Sequence, residues 1–360
     1  MDNNIISNIP SLKVKTDKKV IIPFKYSEEI NENDIFSKKY IKYLNENSNV
    51  FKLNNKSYQK GSQFAYYLAG LLEGDGSIFI PSSLHNKKNV YPVIKITFAE
   101  KDFPLADKLF LLLPFGKLYK ERGKYYNLVF YKLNAIFLIV YLINGKMRTP
   151  KMEALNRLID WFNLKYNINL EKLNIDTSDI GKNAWLSGFL DCDSCFSCFF
   201  NINKTGIAKD IHCYMRLSQR QYYNIKNSTT DINNNESVDD NQKLGNNSYF
   251  HIMEKIRIFL NVNNLRIIKR IKKNNFIESG YEIRTSKKES NNILINYFNN
   301  YPLYSSKYLD YLDWKSMLKI KNNREYKEKE GTKLLIFLKS GLNNSRTNFS
   351  WEHLNNFWRI

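Results

Sequence analysis

One short stretch occurs twice in this chain, and nothing else in the sequence restricts the fold as tightly. Residues 68–76 read Leu-Ala-Gly-Leu-Leu-Glu-Gly-Asp-Gly, and residues 186–194 read Leu-Ser-Gly-Phe-Leu-Asp-Cys-Asp-Ser. The alignment sets Gly70 on Gly188, Glu73 on Asp191 and Asp75 on Asp193. Each copy follows an aromatic residue, Tyr67 or Trp185, and runs into an apolar, strand-like segment (Ile78-Phe79-Ile80, and Phe196 to Phe200). Both read as a helix with small residues at i and i+4, a flat face that a second helix can approach closely. Glycine inside a helix costs about 0.5–1 kcal/mol relative to alanine, so a helix holding two needs a matching partner. The other copy is that partner. Packed side by side, the helices end at Asp75 and Asp193. Adjacent carboxylates repel unless a hard, oxygen-ligated cation such as Mg²⁺ lies between them. Gly74 and Cys192, just before the aspartates, join them as candidate metal-site residues.

This signature resembles the LAGLIDADG family of homing endonucleases and intron maturases, in the single-chain form that carries two motifs. Asn144 to Lys151 (Asn-Gly-Lys-Met-Arg-Thr-Pro-Lys), Arg216-Leu-Ser-Gln-Arg220 and Tyr301 to Tyr311 are similar to recurrent segments of fungal mitochondrial members. The resemblance covers roughly residues 60–318. Two departures stand in the second motif: Cys192 replaces the usual Ala or Gly, and Ser194 the usual Gly. The resemblance implies an α+β fold of two pseudo-symmetric αββαββα repeats. Their antiparallel sheets form a saddle, with the motif helices at the interface.

The residues agree with that organisation. A chain of 360 residues suits two core-forming units with extensions. Residues 1–60 read as a polar extension with a basic helix over 36–46, and 61–165 as the first repeat. A linker over 166–182 leads to the second repeat, 183–320, and then a tail, 321–360, whose Trp351 and Trp358 are expected to dock on the body. Ile94, Ile96 and Phe98 alternate with Lys95 and Thr97, and Cys213, Met215 and Leu217 with His212, Tyr214 and Arg216, the period of half-buried strands. Between about 222 and 247 the chain is rich in Asn, Asp and Ser and has no apolar pattern, which predicts a disordered insertion.

The balance of 55 Lys+Arg against 35 Asp+Glu leaves a net charge of +20, which points to a polyanionic partner. No apolar run is long enough to span a membrane, since even Leu128 to Ile143 is broken by Tyr131, Lys132 and Asn134. There is no secretory signal at the N-terminus, and Asp2 argues against a cleaved import peptide. A bias toward Asn, Lys and Ile fits an A+T-rich genome, and with the resemblance implies a product translated inside a mitochondrion. Cys192, Cys195 and Cys198 form a C-x₂-C-x₂-C run, a spacing that also occurs at iron–sulfur clusters. Cys192 falls on the helix packing face, however, and Cys195 and Cys198 point to opposite faces of a strand, so reduced structural thiols are expected.

Phosphodiester hydrolysis needs a nucleophilic water, a Lewis acid at the non-bridging oxygens and help for the departing oxygen. Asp75 and Asp193 are the candidate metal ligands, with Glu73 and Asp191 as caps or supports. The resemblance further implies a lysine and a glutamine near the metals. Lys132 and Lys288 match the lysine by position, Gln219 matches the glutamine, and Glu100 takes the glutamine's place in the first repeat. Outward strand residues would read the DNA major groove: Lys95, Thr97, Lys117, Tyr119, His212, Tyr214 and Arg216, the last as the leading guanine reader. Lys269, Arg270, Lys272 and Lys273 are assigned to phosphates. The reading is an intron-encoded homing endonuclease, a monomer that breaks double-stranded DNA with Mg²⁺, for which Mn²⁺ can substitute. Its rivals are a maturase that binds its own intron RNA and assists splicing, and a DNA-binding regulator with a dead site.

Overall fold

The computed structural model describes residues 63–81, 91–113, 115–121, 123, 125–223, 247–271 and 277–357. The N-terminal extension with its expected helix, most of the expected insertion, Lys272, Lys273 and Trp358 lie outside these.

The first repeat runs α1 (Gln63–Asp75), β1 (Gly76–Phe79), β2 (Val93–Ala99), α2 (Phe103–Leu112), β3 (Lys117–Glu121), β4 (Tyr125–Phe130) and α3 (Leu133–Ile143). Helix α4 (Met152–Tyr166) follows, and an extended segment with a short 3₁₀ turn leads to the second repeat. That repeat runs α5 (Trp185–Asp193), β5 (Ser194–Ile202), β6 (Ala208–Arg220), α6 (Phe250–Phe259), β7 (Arg266–Ile271), β8 (Ile277–Arg284) and α7 (Lys288–Asn300). The αββαββα order therefore holds in both halves.

Each half carries a four-stranded antiparallel sheet, β1-β2-β4-β3 and β5-β6-β8-β7. Gly76 pairs with Ile96 in the first sheet, and Ser194, its equivalent, with Leu217 in the second. The two sheets can thus be compared residue by residue. Alternation decides the faces: Ile94, Ile96 and Phe98 are buried, as are Cys213, Met215 and Leu217, while His212 and Arg216 are exposed on the other side. Helix α3 is apolar nearly all round and correspondingly buried. The flanks of the expected insertion close on each other through a bridge between Tyr222 and Ser248.

Residues beyond 321 form more than a tail. Helix α8 (Lys307–Asn322) and helix α9 (Lys329–Ser340) cover the second sheet, with the Thr332 hydroxyl accepting from the Ala208 N–H and Trp314 fully buried. The charged composition of this run concealed a one-sided helix whose buried contacts are Thr332 and Leu335. The chain then returns to the motif helices. The Phe357 ring lies 6.3 Å from that of Tyr67 and 4.9 Å from that of Tyr304, while half-buried Trp351 stacks on His353.

Candidate active site

Helices α1 and α5 touch through their glycines. A Cβ on Gly70 would lie 2.0 Å from the Trp185 carbonyl oxygen, and one on Gly188 would lie 2.1 Å from that of Tyr67. One turn further, a Cβ on Gly74 would meet Cys192 Cβ at 2.3 Å. The small residues therefore bring backbone against backbone, and both helices end in this contact at an aspartate. Asp193 Oδ2 sits only 3.7 Å from the position of a Gly74 Cβ, beside Asp75.

The carboxylates two residues earlier hold the site from behind. Glu73 accepts from the backbone N–H groups of Arg148 and Thr149 and from Trp185 Nε1. Asp191 accepts from the N–H groups of Tyr304 and Ser305, from the Ser305 hydroxyl, and from Tyr67 Oη at 2.8 Å. Each carboxylate thus ties down a loop of its own repeat and takes a bond from the aromatic residue that opens the other motif. The clamped loops deliver two lysines. Lys151 Nζ donates to the carbonyls of Leu72 (3.1 Å), Gly74 (3.3 Å) and Gly76 (2.8 Å), and Lys307 Nζ to those of Leu190 (3.4 Å) and Cys192. The helix-terminal carbonyls among these carry the negative end of the helix dipole, so an ammonium there offsets it and the charge of the neighbouring aspartate.

Burial pushes the Asp75 carboxyl up to about 6, with Asp193's charge adding to the rise and Lys307 opposing it. Asp193 is also raised by burial, against the pull of Lys307, of a hydrogen bond from Gln219 Nε2 (2.9 Å), of Lys151 and of Arg270. Asp75 reaches the surface at the end of the contact and Asp193 is half-buried. Two adjacent carboxylates that resist ionisation together form an all-oxygen donor pair suited to a hard divalent cation. Among the described residues, no group of three or more His, Cys, Asp or Glu side chains is gathered as a metal site. An ion here would rest on the two aspartates, with the remaining positions open to water and phosphate oxygens.

A pH dependence follows. Asp75 sits at about 6 in the metal-free fold against an ordinary 3.8. Its contribution to stability is therefore full below about pH 4 and is lost as pH rises through about 6, a swing that solvent screening at the exposed Asp75 carboxyl reduces. The metal-free protein is expected to melt higher at about pH 5 than at about pH 7, and Asp75→Asn to flatten that difference. A divalent ion should raise the melting temperature more at the higher pH. An unchanged slope in the variant would show that another group sets it.

A family model described as LAGLIDADG endonuclease matches residues 68–162 and 186–318. The chain belongs to the LAGLIDADG endonuclease family. Intron-encoded DNA endonuclease aI3 of Saccharomyces cerevisiae is 34% identical over 346 residues, spanning 88% of this chain and 79% of the yeast protein. Probable intron-encoded endonuclease 4 of Neurospora crassa is 27% identical over 292 residues, 80% of this chain and 46% of that protein. The I-SmaMI LAGLIDADG homing endonuclease bound to cleaved DNA shares the fold at a TM-score of 0.55 and 16% identity, over 79% of this chain and 98% of its own. I-SmaMI has also been solved with an uncleaved DNA target in the presence of calcium ions (TM-score 0.50, 16% identity, 77% of this chain and 98% of its own).

Within this LAGLIDADG frame the strand register shifts two positional matches made from the sequence and separates one pair of residues. Counting from Gly76↔Ile96 and Ser194↔Leu217, the first-repeat equivalent of Gln219 is Phe98, a buried residue. Glu100 lies beyond it in a 3₁₀ turn, paired with Lys120. Counting along β4 and β8, Lys132 corresponds to Lys287, the residue before α7, and not to Lys288, its first residue. Lys132 lies over the Phe115 ring at 5.5 Å, and the positive charges acting most strongly on the aspartates are Lys307, Lys151 and Arg270. Third, Lys269 and Arg270 are neighbours on an extended strand and lie on opposite faces of it. Arg270 shares a face with Arg266, and Lys269 points away.

The other strand residues named from the sequence lie on the faces that alternation gives. Lys95 and Thr97 share the outer face of the first sheet with exposed Lys117 and Tyr119, and His212, Tyr214 and Arg216 share that of the second. The carbonyls of Gly74 and Cys192 each accept a lysine. The Cys192 thiol donates to the carbonyls of Leu71 and Gly188, and burial keeps it protonated, so it serves packing. Cys195 lies against Arg216, whereas Cys198 is buried beside Cys213. The three sulfurs of the C-x₂-C-x₂-C run therefore diverge. Lys151 and Lys307 went unassigned in the sequence. Their signal was available: aligning Thr149-Pro150-Lys151 with Ser305-Ser306-Lys307 reveals a second repeated element.

Proposed function

We propose that this protein is a site-specific, intron-encoded homing endonuclease that makes metal-dependent double-strand breaks at an intronless allele. The observation that carries this reading is the pair of adjacent aspartates at the end of the α1–α5 contact. Each repeat supplies one, so each strand of a duplex meets one carboxylate. Mg²⁺ is the proposed ion, with Mn²⁺ able to substitute; when bound it supplies Lewis-acid stabilisation of the scissile phosphate and a more acidic water.

The chain's own residues do the rest. Asp75 and Asp193 hold negative charge where a cation is needed, and Gln219 fixes the Asp193 carboxylate through Oδ2. Lys151 and Lys307 keep the helix ends from repelling the charge that arrives. The outer sheet faces bind the major groove, with a net charge of +20 drawing in the phosphates. The curated relatives are intron-encoded proteins of fungi, one named for a cox1 intron, which supports translation in a mitochondrion. Both sites lie in one chain, which supports a monomer. No helix among the described residues is long and apolar enough to cross a membrane.

The deciding test is a plasmid carrying the junction of the exons that flank this reading frame, incubated with the purified protein and Mg²⁺. Linear product is expected with Mg²⁺ or Mn²⁺ and tight binding without cutting in Ca²⁺. Binding to the intron transcript with no cleavage in any metal would favour the splicing role instead.

A further inference from the structure

The outer faces of the two sheets are equivalent in register and opposite in chemistry. In the first sheet one cross-strand row reads Thr97, Asn127, Tyr119; the matching row of the second reads Ser218, Glu282, Arg266. In the adjoining row Lys95 and Val129 correspond to Arg216 and Arg284. Three guanidinium groups thus cluster on one sheet at positions where the other has none.

Their centre is Glu282. The residue is only 3% exposed although it lies on the outer face, and its Oε1 forms ion pairs with Arg284 Nε at 2.7 Å and Arg266 Nη1 at 3.5 Å, neither in hydrogen-bond geometry. Arg284 is held on its other side by the Tyr214 ring, 5.2 Å away. A carboxylate this buried is costly unless its pairing is used. Its equivalent, Asn127, is also buried but neutral, bonded to the Thr97 hydroxyl and to Glu121. Arginine presents a planar fork that matches guanine O6 and N7, and an amide matches adenine. Holding the fork in place beforehand removes the cost of ordering it on binding.

We propose that Glu282 is a specificity-determining residue: it positions Arg284 and Arg266 to read guanine, so that the half-site under the second repeat is guanine-rich and the half-site under the first is not. The proposal rests on the endonuclease reading and narrows its substrate to an asymmetric duplex.

The test is selection of duplexes from a random-sequence DNA library by the full-length protein in Ca²⁺, comparing wild type with Glu282→Gln and Arg284→Lys. Wild type should enrich guanines in one half only. Glu282→Gln, which keeps shape, should relax preference at those guanine positions by about tenfold or more, leaving preference in the other half unchanged. Arg284→Lys, which keeps charge without the fork, should do the same. Enrichment by Glu282→Gln identical to that of wild type, or relaxation spread over both halves, would overturn the proposal and leave the endonuclease reading intact. No enrichment by wild type would overturn both.

Discussion

Asp75→Asn and Asp193→Asn are each expected to abolish double-strand cleavage. The substitution keeps the shape of the side chain and removes one of the two negative ligands. Stabilisation of the phosphate by the ion then falls by several kcal/mol, a rate loss on the order of 10³-fold on that strand. Since each repeat contributes one carboxylate, a single variant should leave nicking at most. Binding of the target in Ca²⁺ should survive, because recognition lies on the sheets. Supercoiled plasmid separates the outcomes by its linear and open-circular products. Double-strand cleavage at the wild-type rate by Asp75→Asn would remove the aspartates from the mechanism.

The second large effect concerns the helix contact. Gly70→Ala or Gly188→Ala should destabilise the protein by about 3 kcal/mol or more, a fall of roughly 10 °C in melting temperature. A single methyl on Gly70 meets the Trp185 carbonyl oxygen at 2.0 Å and the Phe189 nitrogen at 2.8 Å, and backbone cannot rotate aside. The helices must separate, carrying both aspartates with them, and a misplacement of about 1 Å can cost roughly 10²-fold in rate. Gly74 behaves differently. Its obstacle is the Cys192 side chain, so Gly74→Ala should be rescued by Cys192→Gly in the double variant. A Gly70→Ala protein that melts with wild type would refute the close approach.

The motif helices and the strand faces were legible because each depends on local spacing, small residues at i and i+4 and alternation at period 2, whereas Gln219 was reached through the family resemblance. What escaped depends on register between strands. Matching Lys132 to Lys288 by position in the chain misses by one residue, since only the pairing of β6 with β8 fixes the offset that makes Lys287 the equivalent. Arg284 went unassigned because its row partner Arg216 is remote in sequence, and only the pairing of β6 with β8 brings the two together. Lys151 and Lys307 were hidden because their partners are backbone carbonyls, which no side-chain pattern records. Helix α9 starts within the charged run 321–330 and buries only Thr332 and Leu335, too narrow an edge to distinguish it from a tail by sequence.

The crossed hydrogen bonds, Trp185 to Glu73 and Tyr67 to Asp191, join residues 112 and 124 positions apart. A ribosome delivers the first repeat well before the helix that completes it, and domains tend to fold in the order they emerge. Through that interval α1 presents a bare stripe of glycine and leucine and a carboxylate without its indole partner. A neighbouring nascent chain offers the same stripe, and its Tyr67 hydroxyl could donate where Trp185 should. Premature pairing between copies therefore competes with completion of a single molecule. The yield of active protein should rise as synthesis is made sparser, with unfinished chains as the aggregating species.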